Sequence, residues 1–151
     1  MGACRCTPLA VQRYPDRVSG PLRDRIDLTV ELAPIPFDTL TAAPSGESSA
    51  AVRARVEWAR ARQRTRAAPG IAALNSRLSP RALERVAALD SRSRGALAAA
   101  ASRLRLTGRA VHRVLRVART VADLDGSDPL GEAHLLEALQ FRDAPPQGSQ
   151  T

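Results

Sequence analysis

Few residues in this chain have the types and spacing that chemistry requires. Cys4 and Cys6 could supply half of a zinc site, but a structural zinc takes four ligands. His112 and His134 fall on separate helical segments and substitute poorly for the missing pair. Two thiols without a metal are therefore the preferred reading. Neither histidine has a carboxylate at a spacing that would make it a general base, and no Ser/His/Asp or Cys/His arrangement stands out. His112 is expected on a solvated face, and His134 as a surface residue at a helix end. No Gly-x-x-x-x-Gly-Lys-Ser/Thr loop occurs and the sequence has no lysine. The cradle and cation that such a loop gives to nucleotide phosphates are absent, as is an acidic strand end for magnesium.

What remains is guanidinium chemistry. All 23 basic residues are arginine. Arg25 lies in Asp-Arg-Ile-Asp and could pair with Asp24 or Asp27. Arg109 opens the clearest helical segment, where the helix start favours an anion. It could equally belong to a solvated basic face with Arg113 and Arg116. The arginines between 53 and 66 could touch nucleic-acid phosphates or simply be solvated, because a basic footprint is necessary but not sufficient. Trp58 could stack on a guanidinium, although anchoring its helix is the preferred reading.

The elements that must position these groups are mostly helical. Residues 1–25 carry Pro8, Pro15, Gly20 and Pro21 and read as loop and short turns. Ile26, Leu28, Val30 and Leu32 alternate with polar residues and predict a half-buried strand ended by Pro34 and Pro36. A lone strand needs neighbours for its backbone groups, so this one is expected to be left over from a larger sheet domain. A linker follows, rich in Ala, Pro, Ser and Gly.

Four further segments have helical patterning, and a short last one completes the chain. The first covers 48–66, with Ser48 as N-cap and a narrow stripe of Val52, Val56, Ala59 and Gln63. The second starts at Ser79 with Pro80 at the first helical position, and Leu83, Val86 and Ala87 make its apolar side. The third, Ser91–Leu104, is mostly alanine and reads as a packed inner helix. The fourth is capped by Thr107. Its apolar face is Val111, Val114, Leu115, Ala118, Val121 and Ala122, and Arg109, His112, Arg113, Arg116 and Arg119 are expected on the other side. The last covers 131–141 and is expected to bury Leu135, Leu136 and Leu139. A disordered tail is expected after Arg142.

The totals agree with one small helical domain and part of another. The chain has 151 residues, 44% of them hydrophobic but only 3% aromatic, so its core must be Ala, Val and Leu. A net charge of +8 attracts polyanions without choosing among them. Two cysteines this close cannot staple a fold, and no apolar run approaches the roughly 20 residues of a membrane span. A cytoplasmic location with no membrane partner is the expectation.

Several long blocks carry a resemblance. Cys4-Arg-Cys-Thr-Pro-Leu-Ala-Val-Gln-Arg-Tyr14 and Arg17-Val-Ser-Gly-Pro-Leu-Arg-Asp-Arg-Ile-Asp-Leu28 come first. Glu47–Val56, Leu106–Leu124 and Ala133–Arg142 follow in order. Together they resemble the C-terminal part of the magnesium-chelatase-like AAA+ ATPases of the ComM/YifB type. The resemblance implies a mainly α chain: a C-terminal AAA+ lid helical bundle preceded by a loop and one strand left from the α/β ATPase core. It implies a core remnant at 1–40, a linker at 41–47, the lid at 48–142 and a tail at 143–151.

The same resemblance gives Arg25 the arginine-finger position, acting in trans on a neighbouring subunit's nucleotide, and Arg109 the sensor-2 position facing ATP phosphates. The intact family uses ATP and Mg2+ in homo-hexameric rings, and its described role is DNA branch migration in natural transformation. A similar core serves magnesium insertion. This chain departs from the pattern in lacking the phosphate loop and in having Arg23 where the family has Leu. An upstream Cys-Pro-Cys pair of the family is also missing, which weakens any zinc site at Cys4 and Cys6. The expected function is thus a lid and sensor piece that binds no nucleotide alone and works with an AAA+ core or full-length subunits. The alternatives are a stand-alone basic helical module that binds nucleic acid or regulates a full-length relative, and a piece of a magnesium chelatase subunit.

Overall fold

The computed structural model describes residues 6–14, 17–23, 25–42 and 46–142, the side chains of Gln12, Gly20 and Arg23 excepted. Cys4, Asp24 and the tail at 143–151 lie outside the described residues, as does the side chain of Arg23. Three short helices come first: α1 (Pro8–Arg13), α2 (Gly20–Arg23) and α3 (Phe37–Thr41). The helical domain follows with α4 (Ser49–Arg66), a single 3-10 turn at Asn75–Arg77, α5 (Pro80–Val86), α6 (Ser91–Arg103), α7 (Gly108–Asp125) and α8 (Glu132–Gln140).

Side-chain caps set most of the helix starts. Ser48, Ser79, Asp90 and Thr107 each accept a hydrogen bond from the N–H three residues on. Each bond satisfies one of the four N–H groups that a helix start leaves without a partner. Thr7 caps α1 in the same way, with Pro8 at its first position. That Thr-Pro signal was present in a stretch read as loop.

Helix α7 is the hub. It packs against α4, the 3-10 turn, α5 and α8, while α6 packs on α8. The core combines Leu78, Leu83, Leu97, Val114, Leu115, Leu130, Leu135 and Leu139 with the small residues Ala82, Ala87, Ala100, Ala118 and Ala138. Small side chains let the helices approach without aromatics to fill the space.

Four expectations are corrected. No strand forms at Ile26–Leu32: the segment is irregular, with a bend at Asp27, and all its apolar side chains are exposed. Among the described residues no second strand exists to complete a ladder, so the segment makes other hydrogen bonds. Helix α6 is not an inner helix. Only Ser93, Leu97 and Ala100 are buried, because a single neighbour, α8, covers it to any extent. Leu136 is half-exposed, since α8 turns Leu135, Ala138 and Leu139 to the core and leaves Leu136 a third of a turn away. Arg119 does not share the solvated side of α7; it is 1% exposed. The stripe on α4 is only half covered, with Ala59 and Gln63 buried and Val52 and Val56 partly open.

Candidate functional site

Arg109 occupies the second position of α7. The cap at Thr107 takes the Ala110 N–H at 3.2 Å. The guanidinium of Arg109 is exposed, and no ion pair holds it among the described residues. A free cation thus sits where the helix backbone already presents partial positive charge, an arrangement that accepts an anion and has no competitor to displace.

One turn later, Arg113 is held. Its Nη1 donates to Asp27 Oδ1 of the segment 26–32. Arg142 Nη1 donates to the Ile26 carbonyl at 2.5 Å, and the Thr29 N–H donates to the Phe141 carbonyl at 2.9 Å. These polar contacts dock residues 26–29 on the seam between the first half of α7 and the end of α8. Arg25 lies two residues before Asp27, at the start of this docked segment. Its own N–H bonds the Leu22 carbonyl at 2.9 Å, and its side chain is exposed. Of the two carboxylates that could have paired with Arg25, Asp27 is committed to Arg113, and Asp24 lies outside the described residues.

Behind this surface lies a buried polar cluster. Arg66 donates to both carboxylate oxygens of Asp123, at 2.7 and 3.0 Å. Arg119 approaches Asp123 at 3.0 Å and donates to the carbonyls of Ser127 and Asp128 at 2.5 Å. Asn75 accepts from Arg66 at 2.7 Å, and its Nδ2 donates to Asp123 at 2.8 Å and to Thr120 Oγ1 at 3.1 Å. Burial pushes the Asp123 carboxyl up, but the Arg66 and Asn75 hydrogen bonds and the Arg119 charge together outweigh it and hold the group below its usual range. Burial also lowers Arg119, opposed by Asp123. An arginine stays charged regardless, so the cluster joins α4, the 3-10 turn and α7 through fixed charges. Sequence reasoning missed Arg66, Asn75 and Asp123 here. The available signal was Arg119 and Asp123 four apart at the edge of the apolar stripe.

The remaining candidates are structural or surface groups. His134 Nδ1 accepts the Gly131 N–H at 3.0 Å, and its Nε2 meets Asp125 at 3.2 Å. It therefore does have a carboxylate neighbour, supplied by the end of α7, and it serves to cap α8. That contact, ahead of one with Ser127, lowers the Asp125 carboxyl. Trp58 has the Arg62 guanidinium 5.2 Å from its ring and lies against Gly126, so it both stacks and anchors. On α4, Arg55, Arg62 and Arg66 are tied to Glu47, Asp128 and Asp123. Arg53, Arg60 and Arg64 are exposed with no ion pair among the described residues. Cys6 is exposed, and among the described residues no three His, Cys, Asp or Glu side chains gather as a metal site. No helix there is long and apolar enough to cross a membrane.

The family model for the C-terminal region of magnesium chelatase subunit ChlI matches residues 46–142. The model for magnesium chelatase subunit ChlI matches residues 1–40. Competence protein ComM of Haemophilus influenzae is 38% identical over 139 residues, which are 91% of this chain and 26% of that protein. The protein YifB of Escherichia coli is 41% identical over 140 residues, 91% of this chain and 27% of its own length. A Mycobacterium tuberculosis protein is 37% identical over 139 residues, covering 92% and 27% respectively. The chain thus spans about a quarter of the length of these curated relatives.

Proposed function

The chain belongs to the magnesium chelatase ChlI family, and we propose that it is the lid and sensor part of a ComM-type AAA+ ATPase. In this reading it completes an ATP site whose phosphate loop and magnesium ligands come from an AAA+ core. The carrying observation is Arg109: an exposed cation, without an ion pair among the described residues, at the start of the hub helix.

The fit to nucleotide is partial in a specific way. ATP brings a concentrated anionic charge, and Arg109 offers a guanidinium and a helix start to meet it. Arg25, exposed on a segment tied to α7 by Asp27 and Arg113, is the group that acts in trans on the neighbouring subunit's phosphoryl charge. A guanidinium there stabilises charge as it develops. The chain's own sequence contributes no phosphate loop, so subunits of a hexameric ring are the implied partners. The similarity to a competence protein supports DNA as the object of the motor, moved by branch migration during uptake and recombination. Such a chain works in the cytoplasm.

A second reading is favoured by one observation. Arg53, Arg60 and Arg64, with Glu57 between the first two, present a basic stripe on α4 in which none of the three arginines has an ion pair among the described residues. That stripe suits a stand-alone module that contacts nucleic acid. A fluorescent ATP analogue separates the two. The lid reading expects binding and turnover only when the chain is mixed with a separately expressed AAA+ core from a full-length relative. Turnover by the chain alone, or no gain on adding the core, counts against it.

A further inference from the structure

A polar cavity adjoins the buried cluster, whose Asn75 forms part of its wall. It measures about 170 Å³ and is lined by Arg60, Gln63, Leu74, Asn75, Ser76 and Thr120. Nothing in the lid-and-sensor reading uses it. We propose that it is a binding site for a phosphoryl group, held by Arg60, Gln63 and Ser76.

The donors outnumber the acceptors. Gln63 is 6% exposed, and its Oε1 faces the Asn75 N–H at 3.4 Å. A backbone N–H can only donate, so the facing atom must be the oxygen, and the amide flip is fixed. The Gln63 NH2 then has no hydrogen-bond partner among the described residues, on a side chain that is nearly buried in the cavity wall. That donor opens into the cavity, where a ligand acceptor can take the place of water. Arg60 is exposed with no ion pair among the described residues, and the Ser76 hydroxyl is exposed at the rim.

The rest of the wall is saturated and rigid. Both Asn75 side-chain atoms are committed to Arg66, Thr120 and Asp123, and Thr120 Oγ1 donates to the Arg116 carbonyl at 2.9 Å. No carboxylate lines the cavity. Behind it stand three guanidiniums, Arg62, Arg66 and Arg119, against the two carboxylates of Asp123 and Asp128. The background is thus positive, and Arg60 adds to it. A compact anion with several acceptor oxygens is the ligand this surplus recognises. A free or terminal phosphate has that chemistry, and so does the phosphodiester of a nucleic acid running along the α4 stripe.

The test is a resonance titration of the chain with inorganic phosphate, ATP and a short oligonucleotide, following the Gln63 side-chain amide and the Ser76 backbone. Shifts there with inorganic phosphate or ATP assign the site to a free or terminal phosphate. Shifts only with the oligonucleotide, spreading to Arg53 and Arg64, assign it to a backbone phosphate. Either supports the proposal. Gln63→Glu keeps the acceptor for Asn75 while replacing the donor, Arg60→Ala changes an exposed residue, and unchanged backbone resonances away from the cavity check that each variant keeps the fold. Each should weaken the response about tenfold, the factor expected for one charge-assisted hydrogen bond. No shift at Gln63 and Ser76 with any of the three probes, or equal affinity in both variants, overturns it. The readout is independent of Arg109, so the fate of the lid reading does not decide it.

Discussion

Asp123 receives hydrogen bonds from Arg66 and Asn75, pairs with Arg119, and is 0% exposed. Removing one partner of such a buried cluster leaves the others uncompensated, which typically costs about 3–5 kcal/mol. Asp123→Ala should lose stability on that scale by urea denaturation, while Asp27→Ala, at an exposed pair, should lose under about 1 kcal/mol. The carboxyl is held below its ordinary value, so its contribution is fully present above the unfolded value near 3.9. It fades as pH falls through the lower folded value. Melting curves should therefore show no Asp123 contribution to pH dependence between about pH 5 and 8 and a loss of stability only below about pH 4. The wild-type chain should show that acid loss more steeply than Asp123→Ala. Arg119 shows why this cluster was hard to read in the sequence. A helical wheel puts it beside Leu115 and Ala118, and arginine is almost never fully buried unless paired. Its partners are Asp123, four residues on in the same helix, and two carbonyls of the chain reversal after α7, whose position periodicity does not give.

At the scale of elements, the helix starts were legible because the signals are local. Ser48, Ser79 and Thr107 cap where their side chains alone suggest, and Pro80 opens α5. Burial was less legible, because it depends on which neighbours arrive. The single-neighbour contact leaves most of α6 open and Leu136 half-exposed, though both are apolar by composition. The α4–α7 contact has a sharper constraint. Gly126 ends α7 with φ +79°, and a Cβ built there would lie 2.7 Å from Trp58 Cη2. Gly126→Ala should cost about 1–2 kcal/mol through the left-handed backbone alone, with an additional loss as Trp58 is displaced. Trp58 is the single tryptophan, so its emission reports that displacement. Placing Gly126→Ala in a Trp58→Ala background should remove the steric part and leave the backbone part. Equal losses in both backgrounds would mean that the close approach carries no energy.

Across the whole molecule, the family and the helical domain were legible from blocks of sequence, whereas the first 40 residues were only partly so. The alternation at 26–32 is real, but pairing needs a second strand, and the segment instead docks through Asp27, Ile26 and Thr29 on α7 and the end of α8. That docking gives the proposed Arg25 and Arg109 roles a common support. Both side chains are exposed without ion pairs among the described residues, so neither should matter for folding. The most direct test is ATP turnover by the chain assembled with an AAA+ core that carries a phosphate loop, comparing wild type with Arg25→Ala and Arg109→Ala. The account predicts unchanged melting, a fall of about 10³-fold or more for Arg25→Ala, as for loss of an arginine finger, and at least about tenfold for Arg109→Ala, as for one lost charge-assisted contact. Full turnover by both variants would contradict it.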